Sequence, residues 1–251
     1  MQTALITGAS SGIGRELAYV MAKAGHNLVL VARNKQALKD VQAEIEKTTS
    51  VSVRVVTADL SKPGAAQALY EQVKADDIGI LVNNAGVGLK GDFFHDDHDA
   101  TVAMAQLNMV SLMELTQLFG RDFITQNSGR ILNIASVTAF IPGPKQPVYY
   151  ATKAFVRSLS RALAYDLRHT KVTVTALHPG ITKTGFFSAA GATSVTSGAS
   201  PRDVAELGYR ALMHGTIEVT YGLSNKLLTG VFARVWPARW QAAVIDRAAD
   251  A

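Results

Sequence analysis

Tyr149 and Lys153 stand four residues apart in the run Tyr149-Tyr150-Ala151-Thr152-Lys153. On a helix that spacing puts both side chains on one face. A free tyrosine titrates near pH ~10 and carries protons poorly at neutrality. An ammonium about 4 Å away, at an effective dielectric near 20, is worth roughly 4 kcal/mol, or about three pKa units. The spacing therefore predicts a phenol made acidic by its neighbour and fit for general acid–base work. Tyr150 projects about 100° away around the helix and is expected to pack. Upstream, Ser136 offers a hydroxyl at the end of a predicted strand, able to hydrogen-bond a substrate oxygen. Asn108 falls inside a helical run where Asn is a poor helix former. That predicts either a bend around a water or a solvent-facing side chain.

A second signature is Thr7-Gly8-Ala9-Ser10-Ser11-Gly12-Ile13-Gly14. Its glycines do not follow the common G-x-G-x-x-G spacing, yet the physics is the same. Glycines let the backbone approach a pyrophosphate, and a helix starting near Ile13 aims free N–H groups at it. After the second predicted strand a free ribose 2′-hydroxyl calls for a carboxylate. The chain reads Ala32-Arg33-Asn34 instead. Arg33 suits a 2′-phosphate in a forked geometry, with Arg15 placed to help. The expected cofactor is NADP(H).

The elements that position these residues alternate. Predicted strands run over 4–7, 27–31, 51–57, 78–82, 130–134, 171–177 and 217–220. Predicted helices run over 13–24, 35–47, 64–74, 100–123, 148–168 and 201–215. Continuous apolar strands alternating with amphipathic helices imply a parallel sheet covered on both faces. Right-handed crossovers make it doubly wound: an α/β, three-layer sheet of about seven strands. Ligands of such sheets lie outside the carboxyl ends of the strands. Gly8, Arg33, Asp59, Asn83, Ser136 and Pro179 each follow or end one of them. The Ala-, Gly-, Ser- and Thr-rich stretch 186–200 is read as a lid, and Phe186, Phe187, His95 and residues 140–148 as pocket candidates. Residues 1–222 are expected to form one domain. Residues 223–251 form a helical extension packing on it or on a partner.

Together these residues resemble the short-chain dehydrogenase/reductase family, over about 3–222. Thr7 to Gly14 is similar to the family's cofactor turn, Asp59-Leu60 to its adenine-side pair, and Asn83-Asn84-Ala85-Gly86 to its strand-four motif. Asn108, Ser136, Tyr149 and Lys153 resemble its catalytic tetrad, and Pro179-Gly180 with Thr182 and Thr184 its nicotinamide segment. The resemblance implies a Rossmann-like fold and hydride transfer between NADP(H) and a carbonyl or secondary alcohol. It implies that Tyr149 moves the proton and Lys153 lowers its pKa and binds the nicotinamide ribose. Ser136 would orient the carbonyl oxygen, and Asn108 would hold a relay water. The implied cofactor contacts are Gly8, Ser10, Ser11, Gly12, Ile13, Gly14, Arg33, Asp59, Leu60, Asn83, Asn84, Ala85, Gly86, Tyr149, Lys153, Pro179, Gly180, Thr182 and Thr184. The family often pairs subunits through its two long helices, which implies a homodimer or homotetramer. A catalytically silent NADP-binding regulator is the alternative, disfavoured by the complete tetrad.

Composition bounds the rest. The 251 residues are 48% hydrophobic, contain no cysteine and carry a formal charge of +5. Disulfides and thiolate metal sites are excluded. The cations are scattered rather than striped, so no nucleic-acid partner is expected. No apolar run is long enough for a membrane span, and no basic segment followed by an apolar core opens the sequence. The expectation is a soluble cytoplasmic protein acting on a small molecule, a medium-sized hydrophobic ketone or alcohol. His95-Asp96-Asp97-His98-Asp99 has metal-ligand residue types but reads as a helix entry, so no metal is expected. In 223–251 cations alternate with Leu, Phe and Trp; Pro237 interrupts the helix, so packing is expected there rather than membrane contact.

Overall fold

In the computed structural model, residues 2–186 and 198–249 are described. Seven strands form one parallel sheet: β1 (Thr3–Thr7), β2 (Asn27–Ala32), β3 (Val53–Thr57), β4 (Ile78–Asn83), β5 (Gly129–Ile134), β6 (Val172–His178) and β7 (Glu218–Thr220). Their order is β3-β2-β1-β4-β5-β6-β7, every neighbouring pair parallel. The chain winds outward from β1 to β3, then returns to place β4 on the other side of β1. The switch point is therefore the β1/β4 boundary, where the crevice of a doubly wound sheet opens.

The strands read as unbroken apolar runs because both faces are covered. Ala4 and Ile6 of β1, with Leu28 and Leu30 of β2, face one layer. That layer is built by α1 (Gly12–Lys23), α2 (Lys35–Thr48) and the helix Pro201–Met213. Leu17, Met21, Leu38, Ile45, Val204 and Leu212 supply its packing. The alternate residues Leu5, Val29 and Val31 face the opposite layer of α3 (Ala65–Val73) and α5 (Leu112–Gln126). There Leu69, Leu115, Phe119 and Phe123 are buried.

The long helix expected over 100–123 is three pieces. Asp97 caps α4 (His98–Ala105) by accepting from the Ala100 N–H at 3.0 Å, as a helix entry should. A π-helical turn, Gln106–Ser111, follows and leads into α5. Asn108 is in that turn, so the poor helix former marks a distortion.

The helix α6 (Pro147–Asp166) carries Tyr149 and Lys153. Its inward stripe is Thr152, Lys153, Val156 and Ser160. The apolar row expected to lead the packing, Phe155, Leu159, Leu163 and Leu167, is only partly buried at its flank. Small and polar residues win the inner stripe because the helix must seat on the buried Asn133, which donates to Ser160 Oγ at 2.9 Å.

With Pro201–Met213 as α7, α8 (Leu223–Leu227) runs on through a π-helical turn, Leu228–Phe232, and one α turn, Ala233–Val235. Pro237 separates it from α9 (Ala238–Ala249). Gln241 closes that break by donating to Ala233 O (3.2 Å) and Trp236 O (2.7 Å). Residues 187–197 of the predicted lid, Phe187 included, lie outside the described residues. Its two ends are tied: Ala199 N donates to Ile181 O (2.9 Å) and Lys183 N to Ala199 O (3.0 Å). Among the described residues no helix is long and apolar enough to cross a membrane.

Candidate active site

A cavity of about 650 Å³ opens along the carboxyl ends of the strands. At one end it is walled by Gly8, Ser10, Ser11, Gly12 and Ile13, then by Arg33, Asn34, Asp59 and Leu60. Asn84, Ala85 and Gly86 form its floor, and Ser136, Tyr149 and Lys153 its middle. Pro179, Gly180, Thr182 and Thr184 line the opposite side. Gly14, Asn83 and Asn108 are not on the wall.

The turn after β1 leaves a helix end open. Ser11 stands at the N-cap of α1 without a side-chain hydrogen bond, and no acid lies in the first turn. Free backbone N–H groups and the positive end of the dipole thus face the cavity, the environment a pyrophosphate requires. Gly14 serves the turn from beneath. A Cβ there would stand 2.4 Å from both Gly8 O and Asn84 Nδ2, so only glycine lets the layers close. Asn84 braces the same turn by donating to Thr7 O (2.9 Å) and Gly8 O (3.2 Å). Asn83, expected at the cofactor, is a core residue, donating to Thr116 Oγ1 (3.0 Å) and Asn133 Oδ1 (2.9 Å). It ends β4, where side chains alternate between faces, so its neighbour Asn84 meets the turn and Asn83 does not.

No carboxylate ends β2. Arg33 is exposed at the cavity rim, and Asn34 caps α2 by accepting from Ala37 N (3.0 Å). Asp59 ends up across from Arg33. Hydrogen bonds from Ser61, and more weakly the Arg33 charge, hold its carboxyl below the usual range. Arg15 is elsewhere, beside Glu16 at 3.4 Å. One helical residue beyond Gly14, it points away from the turn.

At the centre the electrostatics differ from the sequence expectation. Tyr149 lies near the Ser136 and Thr138 hydroxyls, which favour its ionised form. Burial outweighs them and pushes the phenol up to about 12. The Lys153 ammonium does not offset this. It donates to Ile134 O at 2.8 Å and lies 5.8 Å from the Tyr149 ring centroid. Burial brings the Lys153 pKa down to about 8. The four-residue spacing is met, but the ammonium reaches past the phenol to a strand-end carbonyl.

Asn108 is fully enclosed. It accepts from Val87 N (3.0 Å) and donates to Val87 O (2.8 Å) and Thr152 Oγ1 (3.2 Å). Gly86 is packed between it and the Lys153 Nζ: a Cβ at Gly86 would lie 3.2 Å from Asn108 Oδ1 and 3.5 Å from Nζ. Tyr150 packs as expected, its ring directly over Gly143, and also touches the cavity. Ile141, Gln146 and Phe186 line the pocket as well. His95 does not; it pairs with Asp92 at 2.8 Å on the exterior.

The sequence model of the short chain dehydrogenase family matches residues 2–194. This chain belongs to the short-chain dehydrogenase/reductase family. Human 17-beta-hydroxysteroid dehydrogenase type 3 is 36% identical over 180 residues, 71% of this chain and 58% of that protein. The chain therefore spans less than two thirds of the length of the curated relatives it matches first. Among solved structures, a short-chain dehydrogenase from Sphingobium yanoikuyae in complex with NADPH is similar at a TM-score of 0.85 and 32% identity, covering 100% of this chain and 94% of that one. The bulky-bulky ketone specific alcohol dehydrogenase from Comamonas testosteroni is similar at a TM-score of 0.80 and 29% identity, covering 100% and 92%.

Behind Ser136 the structure adds a residue that the sequence did not single out. His178, fully buried at the end of β6, brings its Nδ1 to 3.2 Å from Ser136 O. Its Nε2 lies 3.5 Å from Glu218 on β7, an electrostatic contact longer than a hydrogen bond. His178, and after it Arg157, hold the Glu218 carboxyl at about 2. Arg157 in turn sits 3.9 Å over the Phe140 ring. The only sequence signal was a histidine directly before Pro179-Gly180.

Proposed function

We propose that this chain is an NADP(H)-dependent oxidoreductase that interconverts a hydrophobic ketone and its secondary alcohol. One observation carries the reading: Ser136, Tyr149 and Lys153 converge on a cavity whose far end is the open helix terminus and Arg33. The NADPH-bound relative of the same fold supports it. A bound nicotinamide supplies the hydride in reduction and accepts it in oxidation. The turn from Gly8 to Ile13 would hold the pyrophosphate, and Arg33 the 2′-phosphate by charge-assisted hydrogen bonds. Asp59, Leu60 and Asn84 to Gly86 would wall the adenosine side, and Pro179 to Thr184 the nicotinamide side.

Burial keeps the Tyr149 proton in place until a substrate oxygen gains negative charge, which suits a general acid in reduction. In the oxidising direction the phenol must release that proton, and Lys153 is the cation within reach. Ser136 holds the substrate oxygen beside the phenol. The widened turn at Asn108 frees a backbone carbonyl for a water, and we assign it a proton relay beside Lys153. The substrate end is apolar, walled by Ile141, Tyr150, Ile181, Phe186, Leu228 and Ile245. That lining fits a bulky ketone, in line with the names of the relatives. We read residues 1–222 as the catalytic domain, with 223–251 adding to the pocket wall. Assembly into a dimer or tetramer through α5 and α6 would cover the half-exposed row of α6.

The test is a panel of small and bulky ketones, followed by loss of NADPH absorbance, with NADH in parallel. Turnover of bulky ketones with NADPH, abolished in Tyr149→Phe, supports the reading. Coenzyme binding with no turnover of any ketone or alcohol returns the silent regulator.

A further inference from the structure

The C-terminal helices carry two apolar faces, and the pocket uses one. Leu228 and Ile245 line the cavity, while Thr229 and Gln241 are buried beneath the helices. On the outside, Leu223, Leu227, Val231 and Val235 recur at four-residue steps, exposed by 80, 65, 56 and 72%. Trp236, Trp240 and Val244 repeat that step and are also exposed. The two indoles meet edge to face at 6.3 Å and join the rows across Pro237. Gln241 fixes the corner, so the break at Pro237 leaves the outer apolar surface standing. Exposed apolar surface of this extent marks an interaction site.

Charge decides the occupant. Lys226, Arg234 and Arg239 are exposed along the same helices, and no acid occurs between 223 and 245. Asp246, the first one, is paired with Lys145 at 3.2 Å. A second copy applied to this face would set cations against cations, a costly arrangement. An anionic surface that also accepts aliphatic and indole side chains has no such conflict, and that is the boundary layer of a bilayer with acidic lipids. We propose that the outer face of residues 223–244 docks this protein on an anionic phospholipid bilayer, laying the rim of the cavity against the lipid. An apolar substrate would then enter from the membrane. This inference stands apart from the proposed hydride transfer, because docking is read without turnover.

The test is flotation of the full chain with phosphatidylcholine vesicles, alone or with about one third phosphatidylserine, at low and high salt. The expected result is capture by the phosphatidylserine vesicles that weakens as salt rises. Each Lys or Arg near such a surface is worth about 1 kcal/mol, so Arg234→Gln/Arg239→Gln should lower partitioning roughly 25-fold. Leu227→Asp/Val235→Asp should lower it more than tenfold, the cost of putting charge where aliphatic side chains enter lipid. None of these four residues lines the cavity, so turnover of a water-soluble ketone should stay at the wild-type rate. Absence of flotation on both vesicles overturns the proposal, as does capture indifferent to the arginines. A change of oligomeric mass in the Asp variant, with flotation intact, overturns it in favour of a subunit interface.

Discussion

Lys153→Met should make the coenzyme-free protein more stable while destroying its activity. Lys153 is 5% exposed, and burial brings its pKa from 10.5 to about 8. Every tenfold loss of proton affinity corresponds to about 1.4 kcal/mol. Keeping the ammonium charged inside the fold at neutral pH therefore costs roughly 3 kcal/mol. Methionine has a similar shape and no charge. It forfeits the hydrogen bond to Ile134 O, worth about 1.5 kcal/mol for a charged donor. The balance is a gain of about 2 kcal/mol, or about 4–8 °C in Tm for a chain of this size. The pH dependence has a fixed sign. Below pH 8 the wild type bears the whole cost. Between pH 8 and 10.5 the unfolded chain binds more protons than the folded one, so the wild type gains stability as pH rises. The variant has no such titration, so the two melting curves should cross at roughly pH 9–10, and above that the wild type, which keeps a hydrogen bond to Ile134 O, should be the more stable. Tyr149 is present in both proteins, so its titration cancels. The assay is thermal unfolding of both proteins across pH, without coenzyme. A variant less stable than the wild type at neutral pH refutes the reasoning. The ammonium would then be a structural tie rather than a charge held against its environment for function.

Tyr149→Phe should lower turnover by at least about 10²-fold, with NADPH affinity within a few fold, by steady-state kinetics and fluorescence titration. In alcohol oxidation the wild type should gain rate with rising pH through an apparent pKa well below 12, a limb the variant lacks. Arg33→Glu should raise KM for NADPH by roughly 10- to 100-fold while leaving NADH little affected, since one charge-assisted pair is lost. Gly14→Ala has no room for its methyl between Gly8 O and Asn84 Nδ2; isothermal titration should show NADPH affinity falling at least tenfold. His178→Phe should lower kcat more than it raises KM by letting Ser136 drift, and His178→Asn, which keeps a donor near Nδ1, should restore part of the loss. Equal kcat in both variants would mean that the histidine only fills space.

Local pattern alone was enough for the succession of strands and helices, the two-sided cover and the positions of Ser136, Tyr149 and Lys153 at strand and helix ends. These follow from periodicity along the chain and from glycines whose need is set by the backbone nearby. The place of Arg33 at the cavity rim was legible for the same reason, because it directly follows the end of β2. Family membership was legible because the motifs recur in order along one chain. What side chains touch across elements was not. Asn83 and Asn84 are identical in sequence, and only the pleat of β4 sends one to the core and the other under the glycine turn. Tyr149 and Lys153 share a helix face as their spacing demands, yet the Ile134 carbonyl, contributed by β5, draws the ammonium past the phenol. Burial then sets the charge states, and burial belongs to the assembled layers rather than to any segment. His178 became visible only when β5, β6 and β7 lay side by side. Spacing along a chain fixes which residues can share a face; the packing of one layer on another fixes what that face meets.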